Sequence, residues 1–299
     1  MSVRVSRLLA TVDRLQQRNA VLGFLFAAYR KANDDRVSSL AALFAYYALF
    51  AIFPLLLILV TLLGLLLHSD PSLRQRILNS ALSNFPIIGP ELKAKVDGLS
   101  SNFGLGVGLV TLLLATRGLS SLASRAMNDV WNVPNVHRVG FPASLGRTFL
   151  WTIIVGVGIT GSTLLSGSRS LFPLSLVGSL LVNVAVFTSC ARVLLERTIP
   201  TRSLLLGSVL GALLWQVLQF FGAVVVEHEL QHANAIYGFF GIVIGLLTWM
   251  YLQAYLTLLA MEVDVVRTRR LWPRGLQREH PTSADLTVQS YQMFQVERE

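Results

Sequence analysis

Val37–Leu67, VSSLAALFAYYALFAIFPLLLILVTLLGLLL, carries no charged side chain and is bounded by Arg36 and His68. As a helix it is about 46 Å long, against a bilayer hydrocarbon core of about 30 Å. It can span a membrane with room for tilt or a kink. Pro54 sits near its middle, where the ring removes one backbone hydrogen bond and crowds the carbonyl four residues back. In lipid that loss is tolerated where neighbouring helices or polar groups satisfy the freed backbone. The stretch therefore reads as a transmembrane helix kinked at Pro54 and packed against partners.

The rest of the chain supplies those partners. Hydrophobic residues make up 53% of it and charged residues 14%, with a mean hydropathy of +0.59, far from a soluble globular composition. Apolar periodicity predicts six spans, at about 40–67, 103–123, 148–168, 170–191, 203–226 and 236–262, with the second helix continuing through Arg117 to Trp131. Only Arg169 parts the third span from the fourth, which makes them a tight hairpin. The expected fold is an all-α membrane protein, a single six-helix bundle occupying residues 37–265. Gly104/Gly108, Gly207/Gly211 and Gly241/Gly245 are each spaced for close helix approach. Residues 68–102, with Pro71, Pro86 and Pro90, form a mixed loop. The single cysteine, Cys190, excludes a disulfide within the chain.

Residues 1–36 form an arm in which Val5, Leu8, Leu9, Val12, Leu15 and Leu22 recur at helical spacing, opposite Arg4, Arg7, Arg14 and Arg18. That pattern is an amphipathic helix lying on an anionic membrane surface. No cleavable signal peptide is expected, since the arm carries seven Lys/Arg and no short apolar core. Residues 266–299 are polar and read as a flexible tail. Alternating the spans puts nineteen Lys/Arg on the side of both termini and five on the other, with Arg117 inside the second helix. Both termini are therefore expected to be cytoplasmic. The net charge of +9 is the positive-inside bias rather than a nucleic-acid footprint.

Polar groups inside the spans are the candidate sites, because lipid makes them costly. Arg117 lies roughly 21 Å along the second helix, and Ser121 and Arg125 follow at steps of four. This stripe offers guanidinium forks to a phosphate or carboxylate. Two other readings stand beside it: Arg117 snorkels to the interface, or it pairs with Glu262 at the end of the sixth span. Tyr46, Tyr47 and Pro54 are placed to shape a pathway. Asn183, Gln216, Gln219 and Gln253 are accounted for by hydrogen bonds between helices.

His228-Glu229-Leu230-Gln231-His232 matches the H-E-x-x-H zinc pattern. A metalloprotease needs a third protein ligand, and the next acid along the chain, Glu262, falls at the opposite membrane face. His228, Glu229 and His232 are therefore read as surface polar residues, and no metal or other cofactor is expected. Gly104, Gly106 and Gly108 lie in a membrane run with no preceding strand, so they are no nucleotide fingerprint. There is no P-loop and no nucleophile elbow, and nothing marks the chain as an enzyme.

Three stretches resemble the YihY/virulence factor BrkB family of bacterial inner-membrane proteins. Ser38–Phe50 continuing to Phe53-Pro54 looks like its first helix, and Ala115-Thr116-Arg117-Gly118 through Ala126–Trp131 its second. Tyr237-Gly238 through Trp249–Leu252, ending at Ala260–Asp264, looks like its last. There the family more often reads Gly-Ala-Glu-Leu-Asn, so Ala260, Met261 and Asp264 depart from it. The resemblance implies six helices, cytoplasmic termini and a multi-pass place in the bacterial inner membrane. Members have been called ribonucleases, a label no residue here supports. Others are linked to serum resistance or to moving lipopolysaccharide and other amphiphiles.

The function expected from these features is transport, flippase-like, of a lipid or other anionic amphiphile. Arg117, Ser121 and Arg125 contact the anionic group, Glu262 balances their charge, and Tyr46 and Tyr47 border the path. The partners expected are membrane lipids and a second copy of the chain, and no nucleic acid. Ion-coupled export of a small solute, and a non-transporting scaffold acting through the charged tails, are the alternatives.

Overall fold

The computed structural model describes residues 13, 16, 19–66, 102–133, 141–166, 172–232, 238–275 and 281–296. All regular structure among the described residues is helical. In chain order the helices are α1 (Ala20–Asp34), α2 (Val37–Leu66), α3 (Asn102–Val130), α4 (Phe141–Ser166), α5 (Phe172–Leu194), α6 (Thr201–His232), α7 (Gly238–Arg269) and α8 (Ser283–Val296). The first half of the N-terminal arm, the loop expected over 68–102 apart from Asn102, and Arg169 lie outside the described residues.

Leu176–Leu194, Thr201–Gln219 and Val243–Arg269 are long and apolar enough to cross a bilayer, and the bent pair Ala20–Asp34 with Val37–Ile52 adds a fourth. Their large apolar side chains point outward: Val217 is 52% exposed, Leu181 64% and Ile244 60%. Water does not tolerate so much contiguous apolar surface, whereas lipid does. The chain is an all-α membrane protein.

Helix α2 runs from Val37 to Leu66 with Pro54 inside it, and a sharp bend precedes it. The bend, 61° between α1 and Val37–Ile52, lies at Asp35–Arg36, where Arg36 takes a left-handed φ of 54°. There the backbone reverses off the helix, as helix ends commonly do. At its other end α1 is capped by Asn19, whose side chain accepts from the Val21 and Leu22 N–H groups at 3.1 and 3.3 Å. The apolar face of α1 looks outward, with Leu22, Leu25 and Tyr29 exposed. Its inward face is small, made of Ala27, Ala28 and Ala32 around Lys31.

The chain divides into two compact units. The first comprises residues 1–44, 120–227 and 251–299, the second 45–119 and 228–250. The core of the first unit gathers Val130 and Trp131 at the end of α3, Leu194 of α5, Leu204 of α6, and Met261 and Val265 of α7. Leu271 and Val288 belong to the same core, so the segment expected as a flexible tail is packed. The reason is local: Ala284 and Val288, four apart on α8, bury one face. Glycine sets the closest contacts between helices in this unit. A Cβ on Gly158 of α4 would run into Val186 Cγ2 of α5. One on Gly207 of α6 would lie 2.6 Å from the Ala260 carbonyl oxygen of α7. In the second unit Gly118 plays the same part for Tyr47, whose Cε1 would be 2.9 Å from an added Cβ.

Candidate functional site

Helix α3 presents its polar residues after a long apolar start. Val107, Val110 and Leu114 are exposed, at 41, 58 and 63%. Three residues beyond Leu114 is Arg117, half-buried, and the exposed Ser121 and Arg125 follow at steps of four. Arg125 Nε donates to the Ser121 carbonyl at a long 3.4 Å, leaving most of its guanidinium donors unused by that contact. Arg117 belongs to the second unit, and Ser121 and Arg125 to the first. In the second unit Tyr47 packs on Gly118, and Tyr46 stands edge-on to Tyr47 with ring centroids 5.8 Å apart. Tyr46 is 55% exposed.

Glu262, expected to balance the charge of the arginine stripe, is instead the partner of Lys31. It is fully buried, and its Oε2 lies 3.4 Å from Lys31 Nζ. The approach is poorly aligned: neither Glu262 oxygen has a hydrogen-bond partner, so the contact is an ion pair without a hydrogen bond. Lys31 Nζ also donates to Asp35 one helical turn on and to the Val130 carbonyl oxygen at 3.2 Å. One ammonium thus serves two carboxylates inside the first unit, with side-chain exposures of 1% for Lys31, 8% for Asp35 and 0% for Glu262. Burial of charge at this level is costly unless the groups are paired. Sequence reasoning missed Lys31 and Asp35. The available signal was their i,i+4 spacing just before an uncharged run.

Polar side chains around this triad close the helix ends. Asn128, fully buried, donates to the Leu194 carbonyl at 3.2 Å and accepts from the Glu196 N–H at 3.1 Å, tying α3 to the C-terminus of α5. Asp264, where the family more often has Asn, accepts from the Gly207 N–H at 2.8 Å, and its Oδ2 is buried without a partner. Gln216 donates to Ser179 at 2.9 Å and Gln253 to Gln219 at 3.3 Å. These are the bonds between helices expected for such residues.

A second charged cluster joins the two chain ends. Arg274 donates from Nη1 to Asp34 at 2.7 Å and from Nε to Asp285 at 2.9 Å. Burial pushes the Asp285 carboxyl up. Hydrogen bonds from the Gly275 and Thr282 N–H groups, from Arg274 and from the Thr282 hydroxyl outweigh it and hold the group below the usual aspartate range.

His228, Glu229 and His232 fall at the end of α6, and their side chains lie outside those described. Among the described residues no three His, Cys, Asp or Glu side chains converge as a metal site.

Comparison with known proteins places this arrangement. A UPF0761 membrane protein of Psychrobacter sp. (strain PRwf-1) is 27% identical over 238 residues, which are 70% of this chain and 43% of the relative. The chain thus spans less than half the length of that relative. No solved structure matches it. The profile of the virulence factor BrkB family matches residues 28–285. That match takes in α2 to α7 whole and both partners of the Lys31–Glu262 pair, and the chain belongs to the virulence factor BrkB family.

Proposed function

We propose that this chain is a multi-pass inner-membrane transport protein, flippase-like, whose substrate is a lipid or another anionic amphiphile. One observation carries the reading. In the second unit the exposed apolar residues Val107, Val110 and Leu114 lead at helical spacing into Arg117, and the sequence carries the steps of four on to Ser121 and Arg125. An amphiphile needs that sequence of surfaces, apolar for its chains and then cationic for its head. In this reading α2 to α7 are six spans, both termini are cytoplasmic, the partners are lipids and a second copy of the chain, and no step of catalysis is involved. The test is scrambling of fluorescent phosphatidylglycerol in liposomes reconstituted with the protein. Wild type accelerates exchange between leaflets, and Arg117→Ala/Arg125→Ala loses most of that acceleration. Equal rates with wild type, the double variant and empty liposomes overturn the proposal.

Ion-coupled export of a small solute is a second reading, favoured by the buried Lys31–Asp35–Glu262 triad. Intramembrane charges of this kind serve as ion relays in transporters. It requires that efflux depend on a proton or sodium gradient and that Glu262→Gln abolish the dependence while residual efflux remains.

A further inference from the structure

The short connection between α5 and α6 builds a basic cleft apart from the α3 stripe and the Lys31–Asp35–Glu262 triad. Arg147 of α4, Arg192 of α5, Glu196, Arg197 and Thr198 of the connection, and Leu204 of α6 line a cavity of about 220 Å³. Three arginines and one glutamate line it. Arg147 Nη1 lies 3.5 Å from Glu196 Oε1, close enough for charge pairing, yet the buried Nη1 makes no hydrogen bond. Arg192 and Arg197 are exposed, so after Glu196 has offset one charge an excess of two remains. Leu204 lies one turn into α6, a 32-residue helix beginning at Thr201. The cleft therefore borders the positive end of a long helix dipole, where backbone N–H groups favour an anion.

Its depth is set by its neighbours. The candidate spans Leu176–Leu194 and Thr201–Gln219 end and begin at this connection, so the cleft sits where apolar helix gives way to polar chain, at the level of lipid headgroups. The cavity is small beside the roughly 300–1,000 Å³ of drug-sized ligand sites. It suits a headgroup with the acyl chains left outside.

We propose that this cleft binds the phosphate of an anionic phospholipid from the adjoining leaflet. Arg192 and Arg197 supply the forked donors, Thr198 a hydroxyl, and Arg147 the fixed charge at the back, oriented by Glu196. The site stands independently of the α3 stripe, so a lipid is held here whether or not the stripe conducts one.

The test measures binding of short-chain phosphatidylglycerol to the full-length protein in detergent, beside short-chain phosphatidylcholine and inorganic phosphate. Wild type is expected to bind phosphatidylglycerol at least tenfold more tightly than phosphatidylcholine. Arg192→Ala/Arg197→Ala is expected to weaken that binding at least tenfold. Arg192→Lys/Arg197→Lys keeps the charge without the fork and is expected to fall between them, which separates lost recognition from a lost fold. Unchanged phosphatidylglycerol binding in the alanine variant overturns the site. Inorganic phosphate binding as tightly as phosphatidylglycerol overturns its assignment to a lipid. Failure of scrambling in liposomes with lipid binding intact tells against the transport reading alone.

Discussion

Replacing Lys31 by Met removes the one cation that serves two buried carboxylates while keeping a long side chain against Ala27, Ala28 and Ala32. At 3.4 Å and an effective dielectric of about 20, the Lys31–Glu262 attraction alone is worth about 5 kcal/mol. Desolvation of the three groups offsets much of this in the intact triad, but the variant keeps the desolvation of the two carboxylates and loses the attraction. Breaking one partner of a buried pair typically costs about 3–5 kcal/mol. For a domain of this size that is roughly a 10 °C fall in the unfolding midpoint, read by fluorescence-detected size exclusion of heated detergent extracts. Lys31→Met/Glu262→Gln removes cation and carboxylate together and is expected to regain more than half of the loss, because the coupling between the two sites is large. A single variant within about 1 kcal/mol of wild type would refute the reasoning. So would a double variant no better than the single one.

Three further outcomes follow from the packing. Gly207→Ala must displace the Ala260 carbonyl, 2.6 Å from the new Cβ, whereas Gly245→Ala meets nothing within 4 Å. Thermal shift should show the first destabilised by about 1–3 kcal/mol and the second unchanged or stabilised by up to about 1 kcal/mol. Asn128→Asp keeps the acceptor for the Glu196 N–H but loses the donors to Leu194 and Ser124, so it should lower stability by about 1–3 kcal/mol in the same assay. The contribution of Asp285 has a pH signature. Its folded carboxyl titrates below the usual range, so its stabilisation is complete above about pH 4, the range of a free aspartate, and is lost as the pH falls through the lower folded value. Limited proteolysis of the C-terminal segment should sharpen over that acid interval in wild type. In Asp285→Asn cleavage should already be fast at neutral pH and vary little.

Most of the helical frame was legible because each apolar run is long and uncharged; α6 contains the run 203–226 whole, and α4 and α5 contain the described parts of the runs 148–168 and 170–191. A proline such as Pro54 announces a kink in any sequence. A left-handed arginine at position 36 does not, being set by the packing of α1. The tail was misjudged for a related reason. Its apolar residues are few, and only the fold puts Leu271 and Val288 into one core with Met261 and Leu194. Of the candidate residues, Arg117, Ser121 and Arg125 lie on one helix as their spacing required. Glu262 was recognisable as a polar group at a span end, yet its partner lies 231 positions earlier, and pairing over such a separation leaves no local trace.

The tie between Arg274 and Asp34, 240 residues apart, bears on how the chain is made. Helix α1 leaves the ribosome long before the groups that neutralise it, Glu262 and Arg274. Until these are made Lys31 has only Asp35, one turn away, to answer its charge. Helix α1 thus reaches its final surroundings only after α7 and the segment that follows it have been made. A chain cut short after residue 250 would keep every apolar run up to α6 and still lack what completes α1. Its first helix would carry an unburied lysine into the membrane interface, a distinction available to the proteases that sort finished membrane proteins from abandoned ones.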